Sequence, residues 1–228
     1  MTDGFPFAQV GPPWWDDRPV FLVGTGPSLV GFDFARLRGL GYVLSVKNSW
    51  PDVGSFADAW FCLDLHTMRR VPLAVQRIAR KATAYLAIDR ALADERPLPA
   101  PVIAGAVYLK SYRLNVGLSE DPSQIECGAN SGFGAFNVAY LKRAKLIVLL
   151  GFDYTGAPYC PHRYSHNPEG HNERYLERWA GNFDCTVPQL QRDGVRVINA
   201  SQLSAVRAFP RMSIEQAMGE VSAWNAKS

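Results

Sequence analysis

Short apolar runs that alternate with helical patterns are the feature that most constrains the fold of this chain. The most apolar run, Leu146–Gly151 (LIVLLG), is strand-sized and has no polar side chain, which is typical of a strand buried on both faces of a sheet. Pro19–Gly24 (PVFLVG) has the same character. Because such strands need helices on both sides, the alternation predicts a single Rossmann-like α/β domain with a mostly parallel sheet.

The other apolar runs and helical patterns place the remaining elements. Strands are also predicted at Tyr42–Val46, Ala59–Leu65, Thr83–Ile88, Val102–Leu109 and Val195–Asn199. A short helix or turn is predicted after Ser28, and helices at His66–Lys81, Phe133–Arg143 and Asn172–Arg192, with a last one begun by the capping-box pair Ser213 and Gln216. Leu114–Cys127 is typical of a loop. We expect residues 1–18 to form an N-terminal arm and 19–228 to form one domain.

Composition excludes several classes of protein. Of 228 residues, 47% are hydrophobic and 20% charged, which excludes disorder, collagen and coiled coil. The net charge of +3 argues against a dedicated nucleic-acid binder. No secretory signal begins the chain, and no apolar run reaches the roughly 18 residues that span a bilayer. The scattered cysteines Cys62, Cys127, Cys160 and Cys185 predict neither zinc nor disulfides but buried thiols in a reduced, cytoplasmic compartment.

Candidate site residues follow from one rule of parallel sheets, that ligands bind beyond the carboxyl ends of the strands. The rule selects four segments: Gly24–Ser28, Lys47–Trp50, Asp64–His66 and Gly151–Tyr154. The first consists of Gly24, Thr25, Gly26, Pro27 and Ser28. Its glycines allow a phosphate or ribose to approach the backbone, but the turn is neither a Walker loop nor a complete GxGxxG, and an ordinary tight turn remains the alternative.

A second glycine-rich turn, at Asn130, Ser131 and Gly132, leads into the predicted helix Phe133–Arg143. Asn130 offers an amide and Ser131 a hydroxyl. The turn is interpreted either as a second ligand-facing helix start or as a cap plus a turn. Asp153, directly after the most apolar strand, is likewise a candidate site residue or a cap for the following loop.

Three of the four histidines, His162, His166 and His171, fall in the loop after Asp153. Histidine is the natural general base near neutral pH. The three have no helical register and no cysteine or carboxylate at ligand spacing, so the sequence favours a catalytic histidine over a metal site. Structural or solvent-exposed histidines remain the alternative. Arg163, Tyr154, Tyr159 and Tyr164 are predicted donors to a phosphate.

The order of these motifs resembles a known family. GTGPSL after the first strand, VKN after the second, then NSG, a helix, a strand and GFDY resemble the bacterial sialyltransferases of the Campylobacter type. They also resemble the related motility-associated flagellin glycosyltransferases, some of which are 6-hydroxymethylpterin diphosphokinase-like. The resemblance covers about residues 19–215 and implies a nucleotide-binding transferase.

The resemblance also implies roles for individual residues. It assigns the nucleotide of a CMP-sugar to Gly24, Thr25, Gly26, Asn48, Ser131 and Gly132, with Asn130 preceding. It assigns the leaving phosphate to Tyr154 and Tyr159. The catalytic base is expected at His171, with His166 second.

Two positions depart from the family pattern. Thr25 stands where the family usually carries asparagine. Asp64 ends the third strand, as in the flagellin glycosyltransferases, where the sialyltransferases carry asparagine. A carboxylate there predicts binding to a ribose hydroxyl or to Mg²⁺. The leading hypothesis is sugar transfer from a nucleotide donor, with CMP-sugar favoured and no metal.

Three alternatives to sugar transfer stay open. One is a Mg²⁺-dependent diphosphokinase that uses Asp64 and Asp153. Another is a nucleotide-binding module without catalysis. The third and weakest is an enzyme that modifies a nucleic-acid base, which the basic helix Arg69–Lys81 permits.

Overall fold

The structure is a computed structural model that describes residues 7–63, 83–89, 105–112, 117–155 and 173–227. Within these ranges one sheet contains eight strands: β1 (Val20–Val23), β2 (Tyr42–Val46), β3 (Ala59–Cys62), β4 (Thr83–Asp89), β5 (Val107–Tyr112), β6 (Gln124–Glu126), β7 (Leu146–Leu150) and β8 (Arg196–Asn199). All neighbouring strands are parallel, in the order β6-β5-β4-β3-β2-β1-β7-β8. The predicted α/β fold with a Rossmann-like parallel sheet is confirmed.

The helices of the described ranges flank this sheet. The α-helices are α1 (Trp50–Val53), α2 (Ser131–Leu141), α3 (Glu173–Gly181), α4 (Val187–Arg192) and α5 (Ile214–Asn225). Short 3-10 helices occupy Pro27–Leu29, Phe34–Leu37, Lys47–Ser49 and Asp184–Thr186. The predicted capping box is present, since the Ser213 hydroxyl accepts from the Gln216 N–H at 3.1 Å and the Gln216 side chain accepts from the Ser213 N–H at 2.9 Å.

The strand order reverses between β1 and β7, the sixth and seventh strands across the sheet. From β1 the chain moves outward to β6, and then crosses back to β7 on the other side of β1. The connections from β1 to β3 pack on one face through Phe34, Leu37 and Val53, whereas α2 between β6 and β7 packs on the other. Connections between parallel strands that share one handedness lie on opposite faces of the sheet when they run across it in opposite directions. The reversal point, between β1 and β7, is where such sheets bind ligands.

Side chains from alternate strand positions fill two cores, one on each face. Leu22, Leu44 and Ile147 belong to the core under α2, and Phe21, Val43 and Val148 belong to the core under α5. All five residues of β7 are buried, as its uniformly apolar sequence predicts. Both faces of the sheet are therefore covered, which leaves the ends of its strands as the places open to ligands.

Within the described residues three predicted elements differ from the structure, and the helix predicted at His66–Lys81 lies outside those residues. The strand predicted at Val102–Leu109 lies at Val107–Tyr112, after a left-handed turn at Gly105. The predicted loop Leu114–Cys127 contains β6, which sequence patterning missed because a three-residue edge strand is too short to show periodicity. The long helix predicted at Asn172–Arg192 is interrupted between α3 and α4, where Asn182 and Phe183 turn into the core.

The described part of the predicted N-terminal arm packs at the edge where the strands begin. Val10 and Trp15 are 2% and 3% exposed, and the Trp15 ring stacks on that of Tyr42 with centroids 5.4 Å apart. The Lys142 ammonium donates to the Gly11 carbonyl at 2.7 Å and lies 5.1 Å from the Trp15 ring centroid. The arm is thus part of the packed domain, on the side opposite the carboxyl ends of the strands.

The cysteines of the described ranges are all free thiols. Cys62 and Cys127 are buried free thiols, as predicted, but Cys185 is exposed because it lies on the outer side of the 3-10 helix before α4. Cys160 lies outside the described residues. Among the helices described, none combines the length and apolarity that crossing a membrane requires.

Candidate functional site

The turns after β1 and β7 lie side by side at the edge where the strands end, which we call the carboxyl edge. The Gly24 N–H donates to the Leu150 carbonyl at 2.7 Å, and the Gly26 N–H donates to the Gly151 carbonyl at 2.9 Å. These bonds continue the pairing of β1 with β7 past the ends of both strands. Two predicted site segments, Gly24–Ser28 and Gly151–Tyr154, therefore meet at the reversal point of the sheet.

The turn after β2 is joined to the same edge. The Ser49 hydroxyl donates to the Val23 carbonyl at 2.6 Å, which fixes the turn that carries Asn48 beside the end of β1. Lys47 adopts a left-handed backbone with φ of +52°, and its carbonyl accepts from the Trp60 indole at 2.8 Å. Asn48 is half-buried next to this turn.

The start of α2 reaches the carboxyl edge from above the sheet. Asn130 caps the helix, since its side-chain oxygen accepts from the Phe133 N–H at 3.0 Å. The Ser131 hydroxyl accepts from the Leu63 N–H at 3.3 Å, which places the helix start over the end of β3. The first N–H groups of any helix have no partner inside it. Asn130 caps that of Phe133, whereas the N–H groups of Ser131 and of the buried Gly132 have no acceptor among the residues that the structure describes.

Tyr154 bridges the β7 turn and the start of α2. Its hydroxyl donates to the side-chain oxygen of Asn130 at 2.8 Å, and its ring lies 6.1 Å from that of Phe183. Gly132 leaves room for this hydroxyl, because a Cβ on Gly132 would overlap it. The backbone of Tyr154 is left-handed, with φ of +49°. Such a conformation costs a non-glycine residue about 1–3 kcal/mol and is found preferentially at functional sites.

Asp153 precedes Tyr154 in the turn after β7, but it is buried in the protein. It is 2% exposed, and its carboxylate accepts from both the N–H and the hydroxyl of Ser28. Burial raises the pKa of Asp153, and the hydrogen bonds from Ser28 and Leu203 oppose that rise. The carboxylate thus joins the turn after β7 to the turn after β1, an arrangement that neither sequence interpretation named.

Glu126 is a titratable group at this edge that the sequence did not single out. It is the last residue of β6, four positions before Asn130, and burial raises its pKa to about 7. One of its carboxylate oxygens is buried with no hydrogen-bond partner in the part of the chain that the structure describes. The carboxyl group therefore keeps its proton to a higher pH than an exposed glutamate does. No sequence motif identifies Glu126, because its pKa is raised by the residues that the fold packs around it.

The loop after β8 also belongs to the edge and was missed from the sequence. The Phe152 N–H donates to the Ser201 hydroxyl at 2.8 Å, and the Ser204 hydroxyl donates to the Phe152 carbonyl at 2.6 Å. The Leu203 N–H donates to the Ser28 hydroxyl at 3.1 Å. The rule that selected the other segments applies equally to the end of β8 and would have selected this loop.

Several predicted site residues lie outside the described ranges. They are Asp64, Tyr159, Arg163, Tyr164, His162, His166 and His171, and their predicted roles stay predictions. The described ranges contain no cluster of three or more histidine, cysteine or acidic residues with metal-binding geometry. Within them the carboxyl edge brings together Gly24–Ser28, Asn48, Asn130–Gly132 and Asp153–Tyr154.

No protein-family model matches this chain, and no curated protein matches it significantly. The function proposed next therefore depends on the geometry of the carboxyl edge and on the motif order of the sequence.

Proposed function

We propose that this protein transfers a sugar from a nucleotide-activated donor, with CMP-sugar favoured, to an acceptor hydroxyl. The observation that carries the proposal is the hydrogen bond from the Tyr154 hydroxyl to Asn130 at the start of α2. This bond joins two of the predicted phosphate-binding segments at the reversal point of a parallel sheet. A tyrosine hydroxyl and the start of a helix together form a donor set for a phosphate.

The chemistry of sugar transfer fits such a donor set. As the bond between the anomeric carbon and the phosphate oxygen breaks, negative charge develops on the leaving nucleotide. The free N–H groups at the start of α2, from Ser131 and Gly132, stabilise that charge together with the positive end of the helix dipole. Tyr154 adds a hydroxyl donor after rotating from Asn130, and this stabilisation requires no metal.

The acceptor hydroxyl needs a general base as it forms its bond to the anomeric carbon. Histidine is suited to take that proton because its ordinary pKa is about 6.5. Among the sequence candidates we assign this role to His171, with His166 as the second choice. The Asn48 turn beside β1 is assigned to the nucleoside part of the donor.

A panel of nucleotides tests the donor assignment. Melting temperatures are measured with CMP, CDP, UDP, GDP and ATP, each with and without Mg²⁺, because a ligand of the folded state raises the melting temperature by mass action. We expect a response to CMP that is independent of Mg²⁺ and weaker in Tyr154→Phe. A response to ATP with Mg²⁺ alone, abolished by EDTA, would replace the proposal by the diphosphokinase alternative.

Replacement of His171 by alanine tests the assigned base. We expect His171→Ala to lower turnover of a CMP-sugar by about 10²–10⁴-fold with CMP affinity nearly unchanged, since a general base acts in the transition state. His162→Ala is the matched control. Full activity of His171→Ala would move the role to His166. Full CMP affinity with no activity in the unmodified protein would indicate a binding module.

A further inference from the structure

Asp153 occupies the position in the first glycine-rich turn where a ligand anion was expected. Its carboxylate oxygens accept from the Ser28 N–H, at 3.2 Å, and from the Ser28 hydroxyl. The residue is 2% exposed, so solvent does not compete for these bonds. The donors of this turn are thus already bound to an anion that belongs to the chain.

The glycine at the centre of the turn fits this carboxylate. A Cβ on Gly26 would overlap the Asp153 carboxylate and would lie 2.6 Å from the Gly151 carbonyl oxygen. A Cβ on Gly24 would also lie 2.6 Å from that oxygen. The glycine pattern that suggested close approach of a ligand is therefore accounted for by the close approach of the β7 turn.

The same residues connect a third turn, the loop after β8. The Asp153 carbonyl accepts from the Ala205 N–H at 2.7 Å, and the Ser28 hydroxyl that binds Asp153 accepts from the Leu203 N–H at 3.1 Å. The turns after β1, β7 and β8 meet at the two residues Asp153 and Ser28. Loss of the carboxylate would leave the donors of Ser28 without their acceptor in a buried place.

Tyr154 follows directly and depends on this arrangement. Its left-handed backbone directs the side chain across to α2, where its hydroxyl reaches Asn130 at 2.8 Å. An uncommon backbone conformation persists only where the surroundings hold it. The backbone of Tyr154 is held on one side by the hydrogen bonds of Asp153 and on the other by the contact of its own hydroxyl with Asn130.

We propose that Asp153 is a positioning residue whose carboxylate acts as a resident anion, joining the turns after β1, β7 and β8 and thereby setting the backbone of Tyr154 at the candidate site. Asp153 does not touch the ligand in this arrangement. Its connection to nucleotide binding rests on the proposed function, whereas its connection to Ser28 and Tyr154 does not.

Chemical rescue tests the resident anion. Asp153→Ala removes the carboxylate and leaves the Ser28 donors in place, so we expect a melting temperature lower by roughly 5–10 °C. Sodium formate supplies a carboxylate small enough for the vacated space. We expect formate to raise the melting temperature of Asp153→Ala saturably, relative to sodium chloride at equal ionic strength. The unmodified protein and the exposed-site control Asp16→Asn should show no such difference. Equal responses to formate and chloride in Asp153→Ala would overturn the resident anion.

A double-mutant cycle tests the connection to Tyr154 and does not require that Asp153→Ala fold. Asp153→Asn keeps the volume but leaves one acceptor oxygen for the two Ser28 donors, the N–H and the hydroxyl. Asp153→Asn, Tyr154→Phe and their combination are compared in urea unfolding. We expect Tyr154→Phe to shift the midpoint by less than half as much in the Asp153→Asn background as in the unmodified one. Additive shifts, such as the control pair Asp16→Asn and Tyr154→Phe should give, would overturn the positioning role.

Titration with CMP connects the proposal to the ligand. We expect Asp153→Asn to weaken CMP binding about 10-fold, because the donor hydroxyl of Tyr154 is displaced, and Asp16→Asn to leave it unchanged. Unchanged affinity in Asp153→Asn would overturn the positioning role at the site. If the unmodified protein binds no nucleotide, the proposed function fails, and the formate and urea experiments still decide the role of Asp153.

Discussion

Glu126 lies half-buried at the end of β6, and burial raises its pKa to about 7. At the scale of single residues, this raised pKa makes the free energy of unfolding depend on pH. The folded state holds a proton on Glu126 at pH values where the unfolded chain, with an ordinary pKa of 4.5, has released it. The stability associated with this group is therefore complete below about pH 4.5 and is lost as the pH rises through about 7.

Glu126→Gln should remove this pH dependence. We expect the variant to be more stable than the unmodified protein above pH 7, by about 1 kcal/mol once solvent screening of a half-buried group is allowed for. The difference should shrink to near zero below about pH 4.5. Urea unfolding at a series of pH values measures it, with the exposed Glu177→Gln as control. A constant difference across the pH range would contradict the burial of the charge.

Single residues also show where sequence patterns are ambiguous. The glycines of the first turn, Gly24 and Gly26, are the type that a phosphate site needs, but they are equally the type that two closely packed turns need. The residue that distinguishes these uses, Asp153, lies 127 positions after Gly26 in the chain.

At the scale of elements, the first residues of α2 form part of the candidate site. Eight of its eleven residues are buried, because it packs on β1, β2 and β3 and against the ring of Phe183. Its start is fixed locally, by Asn130 as the cap. The sequence predicted this helix to within two residues at each end because capping and apolar content are local properties.

Replacements at Asn130 separate capping from ligand binding. Asn130→Ala removes the acceptor of Phe133 N–H and of the Tyr154 hydroxyl, so we expect a loss of about 1–2 kcal/mol in the free energy of unfolding. Asn130→Asp keeps both acceptors but adds a negative charge beside the phosphate position. It should retain stability and weaken CMP binding.

The matched control for Asn130 is the cap of α5. Ser213→Ala should lower the free energy of unfolding by about 1 kcal/mol and leave CMP affinity unchanged. Urea unfolding and CMP titration measure the three variants. Stronger CMP binding in Asn130→Asp would contradict an anion at the start of α2.

The interruption between α3 and α4 is an element that local patterning missed. Asn182 is 2% exposed and its amide donates to the Gly128 carbonyl at 3.1 Å, which ties this turn to the loop before α2. Phe183 is fully buried against Phe133 and Phe136. The helical pattern continues through both residues, but tertiary contacts with α2 outweigh it.

At the scale of the whole molecule, the two edges of the sheet have different uses. The carboxyl edge holds the candidate site, and the edge where the strands begin is covered by the N-terminal arm. Trp15 anchors the arm through its stack on Tyr42 and its backbone N–H, which donates to the Lys142 carbonyl at 2.7 Å. Residues 7–18 of the arm therefore add to the stability of the domain at the end of the sheet opposite the candidate site.

Replacement of Trp15 tests this division. Trp15→Ala removes a side chain that is 3% exposed, so we expect a loss of about 3–5 kcal/mol in the free energy of unfolding. The half-buried Trp14 is the matched control, and Trp14→Ala should cost clearly less. CMP affinity of the folded fraction should not change in either variant. A drop in CMP affinity for Trp15→Ala at temperatures where it is folded would contradict the separation of the two edges.

The sequence by itself determined the fold class and the position of most strands, because burial on both faces makes a strand uniformly apolar over four to six residues. It also determined, through the rule for carboxyl ends, that Gly24–Ser28, Asn48 and Asp153–Tyr154 share one edge. Only the tertiary structure decided which groups meet there. Ser28 binds Asp153, Tyr154 binds Asn130, and Glu126 loses its solvent, because each depends on residues brought together from distant parts of the chain by the order of the strands.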